Sequence, residues 1–303
     1  MPGNEPASLD PASVAVGLTL FRPSPAQVEA ACRLATAGAG PVLAFDNGGL
    51  PAGAAEALAR AGIRLLSAGR NVGIGAALNA LAEAAAASGA RHLLLLDQDA
   101  GPQGAMLRAL LDAAVRLAGA HPPPAVIGPR PLAGPGHKAP AYPVRAGTAP
   151  RDGLVPVDFL ATSGSLVDLA AFAEVGPFRA DYFIDAVDLE WCFRAWARGY
   201  SCWMAPEAGL AHHVGSGTIR GPFGLAMPRQ PLFRMATYLR NSAYGLRLPH
   251  LPPGWKLRQG AYLPVQVLLY WRDAGFRPRV LLRLLAALRD GLLGRLGPPR
   301  DLP

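Results

Sequence analysis

No stretch of this 303-residue chain reaches the ~18 uncharged apolar residues that a membrane-crossing helix needs. The nearest approach, residues 261–271, is short and holds Pro264 and Gln266. Cysteine is scarce: Cys32, Cys192 and Cys202 are scattered, with no C-x-x-C pair and no zinc spacing. That odd set excludes a disulfide framework. The first residues are rich in Pro, Asn and Ser and carry no apolar h-region, so residues 1–12 are expected to be a frayed tail of a cytoplasmic protein. Internal repeats are absent. So is a dinucleotide fingerprint: the glycines at 69, 73 and 75 follow the third strand, not the first, and Leu78 stands where a third glycine belongs. Residues 18–25 lack the Gly-rich basic loop that a sugar nucleotidyltransferase would need for a triphosphate. Acidic and basic residues are few, at 17%, against 51% hydrophobic, a globular composition.

What charge there is lies unevenly. From Arg220 onward 14 Lys/Arg face 3 Asp/Glu, whereas the preceding part carries 15 against 18. That asymmetry points to two jobs, and to domains at 13–220 and 221–303. The basic part has no nucleic-acid-binding module or aromatic interleaving, so no nucleic-acid partner is expected.

The dominant signal is Leu93-Leu94-Leu95-Leu96-Asp97-Gln98-Asp99. Four leucines in a row read as a strand buried on both faces, hence a central strand of a parallel sheet. Around it, apolar runs at 14–20, 41–45, 63–67 and 125–128 alternate with helical patterns at 26–37, 52–61 and 106–118 and an Ala-rich helix ending near 88. This order predicts an α/β fold built of βαβ units. Ligands of such sheets bind outside the carboxyl ends of strands. Asp97 and Asp99 therefore stand where a site belongs, and oxygen ligands suit Mg²⁺ or Mn²⁺. The plainer alternative is an Asp turn and a helix cap.

Three further segments carry chemistry. Thr162-Ser163-Gly164-Ser165 reads as a small-residue turn whose N–H groups suit phosphate or sugar hydroxyls. In residues 181–195, Asp185 fits a helix N-cap with Asp188 three positions on, sharing its face, while Glu190 lies about 200° from Asp188 and reads as structural. A helix start favours the ionised carboxylate that a general base requires. His212-His213-Val214-Gly215 supplies a metal-ligand candidate. Residues 134–152, rich in Pro and Gly, read as a loop. Gly73 and Gly75 allow close approach of a ligand or of a packed helix, with Asn71 and Asn79 on that rim.

In this order and spacing the chain resembles the glycosyltransferase family 2 enzymes of GT-A fold, in particular their rhamnosyltransferase-like branch. The matching pieces are Phe45-Asp46-Asn47-Gly48-Gly49, Asn71-Val72-Gly73-Ile74-Gly75, Leu96-Asp97-Gln98-Asp99, Thr162-Ser163-Gly164-Ser165, Phe183-Ile184-Asp185 through Arg194, His212 to Gly215, and Tyr238-Leu239-Arg240-Asn241. The resemblance covers residues 14–297. It departs at Thr19-Leu20-Phe21-Arg22-Pro23, where the family usually has a Thr-Tyr-Asn type turn. It implies a metal-dependent, inverting transferase that moves L-rhamnose from a dTDP donor, or another sugar from a UDP or dTDP donor, to a glycan or lipid-linked acceptor. A non-catalytic nucleotide-sugar-binding module is the alternative. Thr19, Asp46 and Asn47 would hold the base, with Asn71, Gly73 and Gln98 also lining the donor. Asp97 would touch the ribose or metal. Asp99 and His212 would bind Mg²⁺ or Mn²⁺, Gly164 and Ser165 would line the sugar, and Arg240 would pair with the diphosphate. Asp188 would be the base and Asp185 its runner-up.

Residues 279–297 place leucines 281, 285, 288, 292 and 296 on one helix face. That face is read either as packed on the catalytic domain or as lying on an anionic membrane at the inner leaflet.

Overall fold

The computed structural model describes residues 10–36, 40–99, 104–133, 141–212 and 217–299. After a 3-10 turn at Pro11–Ser13 come β1 (Val14–Leu20), α1 (Pro25–Thr36), β2 (Val42–Asp46), α2 (Ala54–Arg60), β3 (Arg64–Ser67), α3 (Ile74–Ala87), β4 (His92–Asp97) and α4 (Gly104–Arg116). There follow β5 (Pro124–Ala133), β6 (Val155–Pro156), β7 (Leu166–Asp168), α5 (Leu169–Val175), α6 (Val187–Ala197), β8 (Ser201–His212), β9 (Thr218–Arg220), β10 (Ala226–Pro228), α7 (Leu232–Gly245), α8 (Pro253–Asp273) and α9 (Pro278–Leu292).

Eight strands form one sheet in the order β3-β2-β1-β4-β7-β5-β8-β6. The pairings among β1 to β4 are parallel, as is β5 with β8; β7 and β6 run antiparallel to their neighbours. The sequence places the layers. Along β4, Leu94 and Leu96 join the core under α1, α2 and α4, while Leu93 and Leu95 join the one under α3, α5 and α6. A strand with leucine on both faces can sit only in the middle of such a sandwich.

Local chemistry sets the helix starts. Ser24 and Gln27 cap α1 reciprocally: the Gln27 N–H donates to Ser24 Oγ and the Ser24 N–H to Gln27 Oε1. Asp168 caps α5 by accepting from the Ala171 N–H. Strand β8 runs well past the expected residues 202–205. Its pairing with β5 jumps from Ala205 to Gly209, a bulge that carries Pro206 out of the ladder and lets the strand resume.

Helices α7, α8 and α9 enclose a third apolar core. The face by which α9 packs is rotated from the leucine stripe expected from spacing, of which Leu281 and Leu288 reach this core only partly buried. Leu284, Ala287 and Gly291 are buried, whereas Leu285 and Leu292 are exposed. The reason is close approach: a Cβ on Gly291 would stand 2.1 Å from the Arg240 carbonyl oxygen. The small residues Ala287 and Gly291 admit the α7 backbone and, with Leu284, set the rotation of α9. Among the described residues no helix is long and apolar enough to cross a membrane. Of the expected loop, residues 134–140 fall outside the described set, and 141–152 are tied down by bridges Val144 to Val157 and Arg151 to Leu154.

Candidate active site

Parallel register brings the carboxyl ends of β1, β2 and β4 together, with Thr19 opposite Asp97 and Leu20 opposite Asp46. Thr19 is buried, and its hydroxyl lies 3.5 Å from Asp97 Oδ1. Gln98 Oε1 accepts from the Phe21 N–H, and Asn47 Oδ1 from the Val72 N–H. Asp46 Oδ1 receives the N–H groups of Gly48 and Gly49, and Asn71 Oδ1 that of Gly73. These polar side chains thus fold the loops of one rim. Asp99 is exposed in the turn just beyond β4. His212 ends β8, but its side chain and residues 213–216 lie outside the described set.

The Asp97 N–H donates to Ser163 Oγ, which draws the 162–164 turn against the strand end. That turn does not offer all its N–H groups to a ligand. Gly164 N donates to the Leu95 carbonyl and Ser165 N to the Thr162 carbonyl. Ser165 is buried, with its hydroxyl on the Ala161 carbonyl, so Thr162 and Ser163, not Gly164 and Ser165, face the cleft.

Across from them, α6 begins without a side-chain cap. Ala186 holds the N-cap position in the left-handed region, and Asp185 is not a cap. Its carboxylate meets Arg234 from the first turn of α7, with Nη2 to Oδ1 at 2.6 Å. Burial pushes the Asp185 carboxyl above the ordinary aspartate value, and Arg234 offsets this only in part. Asp188 follows in the first turn of α6. The result is one cleft of about 420 Å³ lined by Asp97, Tyr142, Thr162, Ser163, Asp185, Asp188 and Arg234. Tyr142 holds the Ala161 N–H, and its phenol is pushed up to about 12, mainly by burial, with the charge of Asp188 adding to it. A larger, mostly apolar hollow of about 750 Å³ opens at the other end of the sheet, but among the described residues Asp168 is the one acid that lines it, and that residue caps α5.

The segment carrying the two acids is strained. Phe183, Asp185 and Ala186 have φ of 64°, 65° and 63° with no glycine among them. The Ile184 N–H closes a tight three-residue turn on the Tyr182 carbonyl. Such residues cost about 1–3 kcal/mol each and persist only where their surroundings over-determine them. Here Asn241 supplies the restraint. It is buried, and its Nδ2 lies 2.9–3.0 Å from the carbonyls of Tyr182, Ile184 and Asp185. Arg240 beside it donates to the carbonyls of Tyr182 and Gly297. The guanidinium expected on a diphosphate is therefore buried and committed to backbone; the one that lines the cleft is Arg234. Gly73 completes the fit from the other side, because a Cβ there would meet the Phe183 carbonyl oxygen at 2.6 Å. Tight packing is therefore one reason a glycine stands at this position.

Asn241→Ala should leave those carbonyls unpaired, at roughly 1–3 kcal/mol of stability. It should also lower turnover by about 10²-fold through misplacement of the acids. Melting and steady-state rates read both; unchanged rates would divorce the clamp from the site.

Arg234 and Tyr142 line the cleft without standing in any motif of the sequence. Arg234 shares a face of α7 with Asn241, at a spacing of seven, and that was its only sequence signal. Tyr142 sat in a segment read as loop.

Among the described residues no three His, Cys, Asp or Glu side chains converge as a metal centre. Two carboxylates at one strand end do fit a cation that keeps waters and shares the oxygens of a substrate phosphate.

No protein-family model matches the chain. It is 26% identical over 139 residues to the dTDP-rhamnosyl transferase RfbF of Shigella flexneri, a match covering 46% of this chain and 47% of that protein. The chain thus spans about half the length of that curated relative. Among solved structures it is similar to S. aureus TarS residues 1–349 in complex with UDP-GlcNAc, at 12% identity and a TM-score of 0.55, covering 92% of this chain and 80% of that one. GalNAc-T7, crystallised with UDP, GalNAc and Mn²⁺, aligns at 12% identity and a TM-score of 0.55 over 82% of this chain and 54% of that one. The fold is GT-A, as the sequence led us to expect.

Proposed function

We propose that this protein is an inverting glycosyltransferase that moves a sugar from a nucleoside-diphosphate donor onto a hydroxyl group. The donor we favour is dTDP-L-rhamnose, on the motif resemblance and the likeness to the Shigella enzyme; the fallback is another UDP- or dTDP-sugar. The observation that carries the reading is a single cleft into which the end of β4 brings Asp97 and the start of α6 brings Asp188. The acceptor hydroxyl is a poor nucleophile, and Asp188 takes its proton as the oxygen attacks the anomeric carbon. The nucleoside diphosphate departs from the opposite face, so one displacement inverts that carbon. Asp99 would hold Mg²⁺ or Mn²⁺, with His212 as its second protein ligand and Asp97 touching the ribose or the metal through water. Such a cation neutralises the charge that develops on the leaving diphosphate. Thr19, Asp46, Asn47, Asn71, Gly73 and Gln98 shape the rim that would take the nucleoside. Arg234 sets its guanidinium against Asp185 at the edge of the cleft.

The test is a panel of nucleotide sugars, read by thermal shift and by donor hydrolysis, with and without Mn²⁺. The expected result is a shift led by dTDP-L-rhamnose, with hydrolysis that chelation abolishes and Mn²⁺ restores. Asp99→Ala should lose the metal-dependent part of both. Binding without turnover of any donor would make the chain a nucleotide-sugar-binding module, and no binding at all would end the reading.

A further inference from the structure

Among the described residues, exposed large apolar side chains are concentrated on two consecutive helices. Of the ten exposed large hydrophobic side chains among the described residues, seven lie between Leu257 and Leu293, on α8, α9 and the turn joining them. They are ordered. On α8, Leu257, Ala261, Pro264 and Leu268 are all exposed and fall within about 60° of arc at 100° per residue. On α9, Leu282, Leu285 and Leu292 form a second stripe within about 80°, with Leu293 just past its end. Phe276 is exposed at the turn and stacks edge-on against Trp271. The opposite faces of both helices are already used, through Leu263 and Val267 on α8 and Leu284 and Ala287 on α9. The stripes are additional to the faces that hold the fold together.

Charge selects the occupant. Residues 253–295 carry eight Lys/Arg against two Asp/Glu. Both acids are engaged: Asp273 with Arg229, and Asp290 with Arg289 and Arg295. Arg258 and Arg272 stand at the edge of the α8 stripe, and Arg289 within the α9 stripe. A second copy of this chain would bring the same positive rim against itself. A bilayer bearing anionic headgroups meets both features, apolar stripes and basic borders.

We infer that the α8–α9 hairpin is a membrane-surface anchor, lying on an anionic lipid face with its leucine stripes below the headgroups. Neither helix crosses the bilayer. The hairpin is joined to the cleft through α7, whose Arg234 and Asn241 contact the acid-bearing turn. A sugar acceptor embedded in the same lipid face would then reach Asp188 without leaving the membrane, an extension that rests on the transferase reading.

The test is co-sedimentation of the full chain with vesicles of phosphatidylglycerol and phosphatidylcholine in equal parts, against phosphatidylcholine alone. Binding is expected to the mixed vesicles only, weakening as salt rises. Leu257→Glu with Leu268→Glu, and separately Leu282→Glu with Leu285→Glu, should each lower the partition coefficient roughly tenfold or more. These positions are exposed, so folding should survive, as a melting curve verifies. Val144→Glu, an exposed apolar residue far along the chain, should bind like the parent. A parent chain that stays in the supernatant with mixed vesicles overturns the inference. Glutamate variants that bind as well as the parent do the same. A doubled mass by light scattering, lost in those variants and without vesicle binding, would assign the face to self-association instead. Binding is read without any sugar transfer, so its failure leaves the proposed reaction standing.

Discussion

Asp188→Asn should cut turnover by about 10²–10⁴-fold while donor binding stays intact, the range expected when a general base is removed. The substitution keeps the shape of the side chain and removes its capacity to take a proton. Asp188 lies in the first turn of α6, and the Leu189 N–H accompanies its Oδ1 at 2.8 Å, a bond an amide oxygen can also accept. The fold should therefore be preserved, with a melting temperature close to the parent's. Binding of the nucleotide sugar, measured by calorimetry, should change little, because the contacts proposed for the donor lie on the β1–β2–β4 rim. The comparison is Asp185→Asn. Asp185 is an ion-pair partner of Arg234 as well as a cleft residue, so its loss should disturb stability and rate together. If Asp188→Asn turns over at near the parent rate and Asp185→Asn does not, the two roles are exchanged. If neither slows, the cleft is not where the proton goes.

Glu190→Gln should destabilise the protein by about 3–5 kcal/mol, the usual consequence of removing one partner from a buried ion pair. At ~2–4 °C per kcal/mol this is a fall in Tm of roughly 10 °C. Glu190 is 2% exposed. Its carboxylate receives Arg194 Nε and Nη2 at 3.1 and 2.9 Å, and His250 Nε2 stands 2.9 Å from Oε1. Burial alone would raise its pKa. The close approach of His250 and the hydrogen bonds and charge of Arg194 outweigh burial and hold it below the ordinary glutamate value. A carboxyl depressed by folding contributes stability above its unfolded pKa, about 4.3, and loses it as pH falls through the lower folded value. The parent should therefore weaken in acid below about pH 4. Glu190→Gln should start lower at neutral pH and lose less in that window. Because Glu190 does not line the cleft, the rate per folded molecule should be unchanged. A neutral-pH Tm equal to the parent's would show that the pair is stabilisationally idle.

The contrast among these acids shows what a sequence can and cannot say. Glu190 was legible as structural because helical geometry alone turns it away from Asp188. The β4 leucines were legible because a fully buried strand has no polar face to display. Asp97 was placed by a rule about strand ends that holds for any parallel sheet. Asp185 misled, since its spacing to Asp188 fits a capping box and nothing local reveals the left-handed backbone that prevents one. That backbone is imposed by Asn241, 56–59 residues along the chain. Arg240 is a related case: the resemblance pairs it with the diphosphate, and only packing reveals that the carbonyls of Tyr182 and Gly297 claim it. Local patterns gave the elements, and contacts remote in sequence set the turn that presents the acids.

That long-range dependence has a consequence for the order in which the molecule matures. Chains fold from the amino end while they are still being synthesised. The eight-stranded sheet is complete in sequence once His212 has emerged. The turn bearing Asp185 cannot then be held, because Asn241 has not been made, and the Gly297 N–H that donates to the Asp181 carbonyl comes later still. A nascent chain would thus have its β1–β2–β4 rim well before the turn bearing Asp185 was held, and the proposed transfer would have to wait until the helices after the sheet had closed over it.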